Sequence, residues 1–268
     1  MPKTLLAVYA HPDDEGFSSG ALAHYAAKGY RVVLACATRG EAGQVKDVSL
    51  GQVADLGALR EQELRKACEI LGIEPPVFLG FHDSGRKERV QQDNPLALMN
   101  AGWLEVEARI REVIARVEPQ VILTFDPHGG YGHVDHLVVQ RATTAAFFSS
   151  SHLLNPPQRL FYGVLPLASL ERMRQSGRFA GLLGENDPKV FSVDPRLVAV
   201  RLNVEAYLER KWQANRAHVS QFASVSNPPD PEFIALMREI QTHEHYALGA
   251  ARGPIPRWPM EDLFEGLE

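Results

Sequence analysis

The chain has 268 residues, 45% hydrophobic and 23% charged, which excludes a long disordered or fibrous chain and fits one large α/β domain as well as two small ones. Its net charge of −5 leaves no surplus of Lys and Arg for general nucleic-acid binding. The longest apolar runs, Leu5 to Ala10 and Val32 to Ala37, fall far short of the roughly twenty residues of a membrane helix, and the N-terminus lacks a signal-peptide pattern. Cys36 and Cys68 sit in apolar patterns and read as buried thiols of a reducing compartment, so a cytoplasmic protein is expected.

Leu5 to Tyr9 reads as a buried strand, residues 15–29 as a helix closed by Gly29, and Val32 to Ala37 as a second strand. Residues 53–71 carry apolar side chains near helical spacing and end at Gly72. Val77 to Leu79 is a third strand, 103–117 a helix, Val121 to Phe125 a fourth strand and 133–148 a helix. Continuous apolar strands separated by helices predict a mostly parallel sheet covered on both faces, a three-layer α/β/α arrangement. Further on, strands are expected at Arg159 to Val164 and Leu197 to Leu202, and helices at 204–223 and 231–247. Asn155-Pro156-Pro157, Asn227-Pro228-Pro229 and the stretch 252–256 mark turns or extended connections. No repeat or composition break appears, so residues 1–250 read as one domain and 251–268 as a Pro-rich C-terminal tail. A homo-oligomer is expected, and the tail after residue 252 could pack on a neighbour. The connections 38–52 and 81–101 are long, and both leave the carboxyl ends of strands, the edge where open parallel sheets bind ligands.

Two clusters follow strands. His11-Pro12-Asp13-Asp14-Glu15 comes after the first strand, where a turn and a helix cap would be the ordinary explanation. The run from Asp126 through His128, Gly129, Gly130, Tyr131, Gly132, His133 and Asp135 to His136 comes after the fourth. Its three histidines in nine residues serve no capping purpose. His11 with Asp14, and His133 with His136, are spaced three apart, which points each pair the same way on a turn or first helical turn. If the fourth strand lies beside the first, both clusters flank one crevice. Two histidines and a carboxylate there suit zinc with a position left for water, and iron is accepted by the same ligand types. Asp13, beside Asp14 but pointing elsewhere, is the natural base for that water. His133 could steady the oxyanion or protonate the leaving amine, with Asp135 orienting or charging it.

At these residues the chain resembles the LmbE/PIG-L family of metal-dependent N-acetylglucosaminyl deacetylases, including those of the mycothiol and bacillithiol pathways. The resemblance covers most of the first 150 residues and, more weakly, a helix near 211–221. It implies a Rossmann-like fold and the metal ligands His11, Asp14 and His136. It also implies Asp13 as general base, His133 as electrostatic catalyst or acid, and Asp135 as its modulator. Gly129-Gly130-Tyr131-Gly132 is similar to mycothiol-pathway members in which the tyrosine lies near the substrate carbonyl. Arg60 and Asp83 match positions that contact sugar hydroxyls. The family's usual Pro is Val134 here, which removes no reactive group. The expected reaction is removal of acetyl from an N-acetylglucosamine-containing small-molecule glycoside, with a thiol-conjugate amidase of the same family as the alternative.

Each single residue has a plainer reading. Arg60 could sit on a solvated helix face paired with Glu63, and Asp83 could serve only the turn with Ser84 and Gly85. Tyr131 could be a surface ring. His218, in Ala217-His218-Val219-Ser220-Gln221, resembles a recurring family segment, yet a helix-packing role is favoured. His24, His152, His243 and His245 read as ordinary. Arg86, Lys87 and Arg89 read as a solvated loop, or as contacts for an acidic substrate group. Gly16-Phe17-Ser18-Ser19-Gly20 fits a nucleophile elbow on paper, but Ser18 falls inside the expected helix rather than at a strand end. A non-catalytic metal- or nucleotide-binding protein is the remaining rival. Neither a G-x-G-x-x-G turn nor a phosphate-binding loop is present to support nucleotide binding.

Overall fold

The computed structural model describes residues 3–177, 187–222 and 230–268. The strands are β1 (Thr4–Tyr9), β2 (Arg31–Cys36), β3 (Val77–Phe78), β4 (Val121–Phe125), β5 (Arg159–Pro166), β6 (Ser192–Val193), β7 (Val198–Asn203) and β8 (His243–Ala251). The helices are α1 (Ser19–Ala27), α2 (Leu56–Leu71), α3 (Trp103–Val117), a kinked turn α4 (Gly129–Gly132), α5 (Val134–Ser149), α6 (Leu167–Gln175), α7 (Pro188–Phe191), α8 (Leu208–Ala217) and α9 (Pro231–Gln241).

The sheet runs β3-β2-β1-β4-β5-β8-β7, with β6 pairing the end of β5. The first five strands are parallel, whereas β8 runs antiparallel to both β5 and β7. Every residue of β1 and of β4 is buried, as their unbroken apolar sequences require when helices cover both faces. Helices α1, α2 and α8 contact one another on one side, and α3 packs on α5 on the other. The α/β/α expectation therefore holds.

β1 pairs directly with β4, Leu5 beside Val121 and Ala7 beside Leu123. The chain leaves β1 toward β2 on one side and leaves β4 toward β5 on the other. That reversal of strand order opens the crevice at their carboxyl ends. Asp55 caps α2 by accepting from Ala58 N at 2.8 Å, and Gly72 (φ 79°) closes it.

Several expectations need correction. The helix expected over 15–29 is a single 3-10 turn (Asp14–Phe17) followed by α1, with Ser18 at the junction. The helix expected over 204–223 is a 3-10 turn (Glu205–Tyr207) and then α8, which ends at Ala217. Residue 223 and the Asn227-Pro228-Pro229 turn lie outside the described residues. The helix expected over 231–247 ends at Gln241, and residues 243–251 form β8 instead. Pairing on both sides decides this, because β8 satisfies the backbones of β5 and β7 at once. The tail places Met260, Leu263 and Phe264 in the chain's own core, and Leu263 N donates to Tyr25 Oη at 3.0 Å. Cys36 and Cys68 are free and buried. Among the described residues no helix is long and apolar enough to cross a membrane.

Candidate active site

The β1 and β4 turns meet as the strand pairing requires. His11 Nδ1 lies 3.1 Å from Asp14 Oδ2 and 3.2 Å from His136 Nε2, and His136 Nε2 lies 3.3 Å from Asp14 Oδ1. All three side chains are buried. His136 owes its position to Gly129, whose φ is 61° and where a Cβ would meet His136 Cβ at 2.7 Å.

Three observations test whether these residues suit a metal ion. A tetrahedral zinc site with bonds of about 2.1 Å separates its ligand atoms by roughly 3.4 Å, close to the spacings found. The outward nitrogens are engaged elsewhere: His136 Nδ1 lies 2.9 Å from the Gly129 carbonyl, and His11 Nε2 lies 3.0 Å from Asp135 Oδ2 and 3.3 Å from Asp83 Oδ1. With protons on those outer nitrogens, the inner nitrogens present lone pairs to the centre. Finally, burial alone would lower the His11 pKa, but Asp83, Asp135 and Asp14 hold it well above its usual value. The cluster thus draws positive charge to this point. His133 also comes within metal-ligand reach of His11 and His136.

Asp14 reports the same field. Desolvation would raise its pKa, yet His136 and His11 hold it well below the usual carboxylate range. Asp83, likewise desolvated, is held far down by His11 and by the Gly85 N–H, which donates to Asp83 Oδ1 at 2.8 Å. Asp83 therefore serves both its turn and His11.

Asp13 turns away from Asp14 because its backbone is left-handed, with φ 100°. For a non-glycine residue that conformation costs of order 1–3 kcal/mol and persists only where its surroundings enforce it. Arg60 provides part of that enforcement. It is only 4% exposed and donates to Pro12 O at 2.5 Å and Gly40 O at 3.1 Å, with Asp13 Oδ1 at 3.3 Å. The solvated-face reading of Arg60 is thus overturned, and Glu63 instead accepts from Ser220. Desolvation raises the Asp13 pKa, and the Arg60 guanidinium opposes part of that rise.

His133 does cap a helix, contrary to the expectation that these histidines serve no such purpose. Its Nδ1 accepts from Asp135 N at 3.2 Å at the start of α5. A capping acceptor must be unprotonated. Desolvation first, then His11 and His136, push the His133 pKa down to about 4. The Asp135 carboxylate does not bond to His133. It receives His11 Nε2 and, from Ser84, both the backbone N–H and the hydroxyl. Its modulating contact is with His11, and Ser84 is a supporting residue that the sequence reading missed.

The Tyr131 ring lies 5.0 Å from that of His136, between glycines with positive φ, and the Arg86 guanidinium sits 5.0 Å from its centroid. Ser18 Oγ is buried and 2.6 Å from Tyr9 Oη, and among the described residues no histidine hydrogen-bonds to it, which removes the nucleophile-elbow reading. His218, read as helix packing, is fully buried with Nε2 2.5 Å from Glu15 Oε1. A cavity of about 290 Å³ opens from Asp13 and Phe17 toward Leu165, Met173, Phe222 and Ile240.

Residues 6–147 match the family model described as PIG-L: GlcNAc-PI de-N-acetylase. A 1D-myo-inositol 2-acetamido-2-deoxy-alpha-D-glucopyranoside deacetylase from Acidothermus cellulolyticus is 33% identical over 290 residues, covering 100% of this chain and 96% of that protein. The chain belongs to the PIG-L family. Among solved structures, the N,N'-diacetylchitobiose deacetylase from Pyrococcus horikoshii matches with a TM-score of 0.60 and 18% identity, over 99% of this chain and 86% of that one. A 4-carboxy-2-hydroxymuconate hydratase from Pseudomonas putida matches with a TM-score of 0.59 and 17% identity, over 95% of this chain and 99% of that one. This fold therefore carries more than one reaction, and the chemistry is set by the residues at its site.

Proposed function

We propose that this PIG-L protein is a zinc-dependent amide hydrolase that removes acetyl from an N-acetylglucosamine-containing small-molecule conjugate. The observation that carries the reading is the meeting of His11 Nδ1, the Asp14 carboxylate and His136 Nε2 within 3.3 Å, with both outer imidazole nitrogens held by acceptors. The Acidothermus relative's name supports the substrate class. In this proposal His11, Asp14 and His136 hold the metal, and residues 1–250 form the deacetylase domain that the 251–268 tail completes.

When bound, the zinc would polarise the amide carbonyl and acidify the attacking water. Asp13 takes the proton of that water, its desolvated carboxylate being the better base for its raised pKa. The same carboxylate then passes the proton to the departing amine nitrogen. His133 is neutral at pH 7, and because its Nδ1 accepts from Asp135 N, its proton is on Nε2. That N–H donates to the carbonyl oxygen as charge builds there, a role an uncharged imidazole can fill. Tyr131, whose ring lies beside that of His136, sits near the carbonyl, and Arg60 and Asp83 border the sugar while bracing Asp13 and His11. The test is amine release from N-acetylglucosamine conjugates, abolished by chelator and restored by zinc. Metal-loaded protein that releases no amine from any such compound refutes the reading.

The cavity of about 290 Å³ beside Asp13 favours a second reading, thiol-conjugate amidase, because it offers room for a group larger than acetyl. Comparing acetyl and bulkier amides of one glucosaminyl conjugate separates the two.

A further inference from the structure

Residues 218–221, which follow α8, tie three parts of the cleft wall together. Ser220 donates through its backbone N–H and its hydroxyl to the two carboxylate oxygens of Glu63 on α2, at 2.7 Å each. Its carbonyl accepts from Lys46 N at 2.8 Å, and Gln221 Nε2 donates to Gln44 O at 3.3 Å. Between these anchors the His218 ring is fully buried, and its Nε2 lies 2.5 Å from Glu15 Oε1. Glu15, also buried, accepts the backbone N–H of Asp13 through its other oxygen at 3.0 Å. The remaining His218 nitrogen, Nδ1, is buried without a hydrogen-bond partner. Glu15 is therefore the one side chain this ring's polar atoms engage among the described residues.

We propose that His218 is a positioning residue for Asp13: by fixing Glu15 it fixes the Asp13 peptide N–H, and with it the left-handed backbone that aims the Asp13 carboxylate into the cleft. The proposal rests on the reading of Asp13 as the base. A left-handed aspartate reverts to an ordinary conformation unless several contacts oppose it. Arg60 grips the preceding carbonyl of Pro12, and Gly16 N donates to Asp13 O at 3.1 Å. Neither of these holds the Asp13 N–H, which is the contact Glu15 supplies. A buried carboxylate with one peptide donor keeps rotational freedom; a second, short contact from His218 removes it. Among the described residues the Asp13 carboxylate has one hydrogen-bonding side chain, Arg60 at 3.3 Å, so its direction depends on its backbone.

The test uses His218→Phe, which fills the volume without a donor, His218→Gln, which returns an N–H of similar reach, and Glu15→Gln. The last keeps its shape but can accept only one of the two N–H groups. Amine release, metal stoichiometry and the crystal structure of each variant are measured. His218→Phe and Glu15→Gln should lose about 10- to 100-fold in kcat, with KM and bound metal within two-fold of the parent. His218→Gln should recover a large part of that loss. In an Asp13→Asn background, His218→Phe should cost less than two-fold further, because it acts through Asp13. In the crystal, Asp13 should leave positive φ. An unchanged Asp13 backbone, an equal loss in the Asp13→Asn background, or a loss explained by missing metal overturns the proposal. If the parent protein releases no amine, the proposed reaction falls, and the Asp13 conformation in the variants still decides the positioning role.

Discussion

Asp135→Asn separates the two ways in which Asp135 could act. Its carboxylate accepts three donors: His11 Nε2 at 3.0 Å and Ser84 N at 2.9 Å on Oδ2, and the Ser84 hydroxyl on Oδ1. Asparagine can keep its oxygen toward His11 and Ser84 N. Its NH2 then faces Ser84 Oγ, which accepts from Met99 N at 2.8 Å and has a second lone pair for it, while the Ser84 O–H loses its acceptor on Asp135, a cost to folding rather than to the His11 bond. The geometry survives and the charge is lost. A charged acceptor's bond, about 1.5–3 kcal/mol, becomes a neutral one of about 0.5–1.5 kcal/mol, a difference near 1–1.5 kcal/mol. That predicts roughly ten-fold weaker metal binding, at the low end of the loss usual for partners of metal-bound histidines. The assay is competition for zinc against a chromophoric chelator, alongside turnover at saturating zinc. Turnover there should fall much less than affinity. Unchanged zinc affinity in a folded variant, with turnover lost, would refute the structural argument and return Asp135 to the role of modulating His133.

Further outcomes follow from the same contacts. Asp13→Asn should retain zinc by metal analysis and lose about 10²- to 10⁴-fold in kcat, the usual contribution of a positioned base; a loss under three-fold excludes Asp13 as the proton acceptor. Ser18→Ala should keep most amine release and lose about 1 kcal/mol of stability in urea unfolding, since it leaves the buried Tyr9 hydroxyl short of a partner; near-complete inactivation with zinc bound would revive the nucleophile reading. Desolvation first, then Arg201 and His243, push the His245 pKa down to about 4. Between pH 6.5 and 4 the unfolded chain therefore binds the proton that the folded chain refuses, and stability falls as pH drops through that window. For this half-buried ring the slope is about 1 kcal/mol per pH unit, and His245→Gln should flatten the fall in urea midpoint between pH 7 and 4.5; identical pH profiles would show that His245 has no part in it.

The local information in the chain reaches a long way. Leu5 to Tyr9 and Val121 to Phe125 are unbroken apolar runs that have to be covered on both faces, and that need alone implies a parallel sheet between helices. Within the polar clusters directly after those runs, pairs spaced three residues apart already nominate His11 with Asp14 and His133 with His136, and the family resemblance selects His11, Asp14 and His136 from them. The stretch 243–251 was not legible, because its apolar and polar residues suit a helix as well as a strand. Only the open edges of β5 and β7 select the strand. The tail's Met260, Leu263 and Phe264 give no local sign that α1 and β7 await them.

The sequence by itself determined which residue types stand at the carboxyl ends of β1 and β4, since periodicity and strand-end position are properties of short segments. Which of them touch was decided only by the tertiary structure. Asp135 is two residues from His133 yet its carboxylate serves His11, 124 residues away, because the first turn of α5 turns that side chain toward the β1 end. Arg60 belongs to a charged helix in sequence and to the Asp13 turn in space. His218 meets Glu15 across 203 residues. Contacts of that separation are set by where the sheet order places each element, and no window of neighbouring residues contains that information.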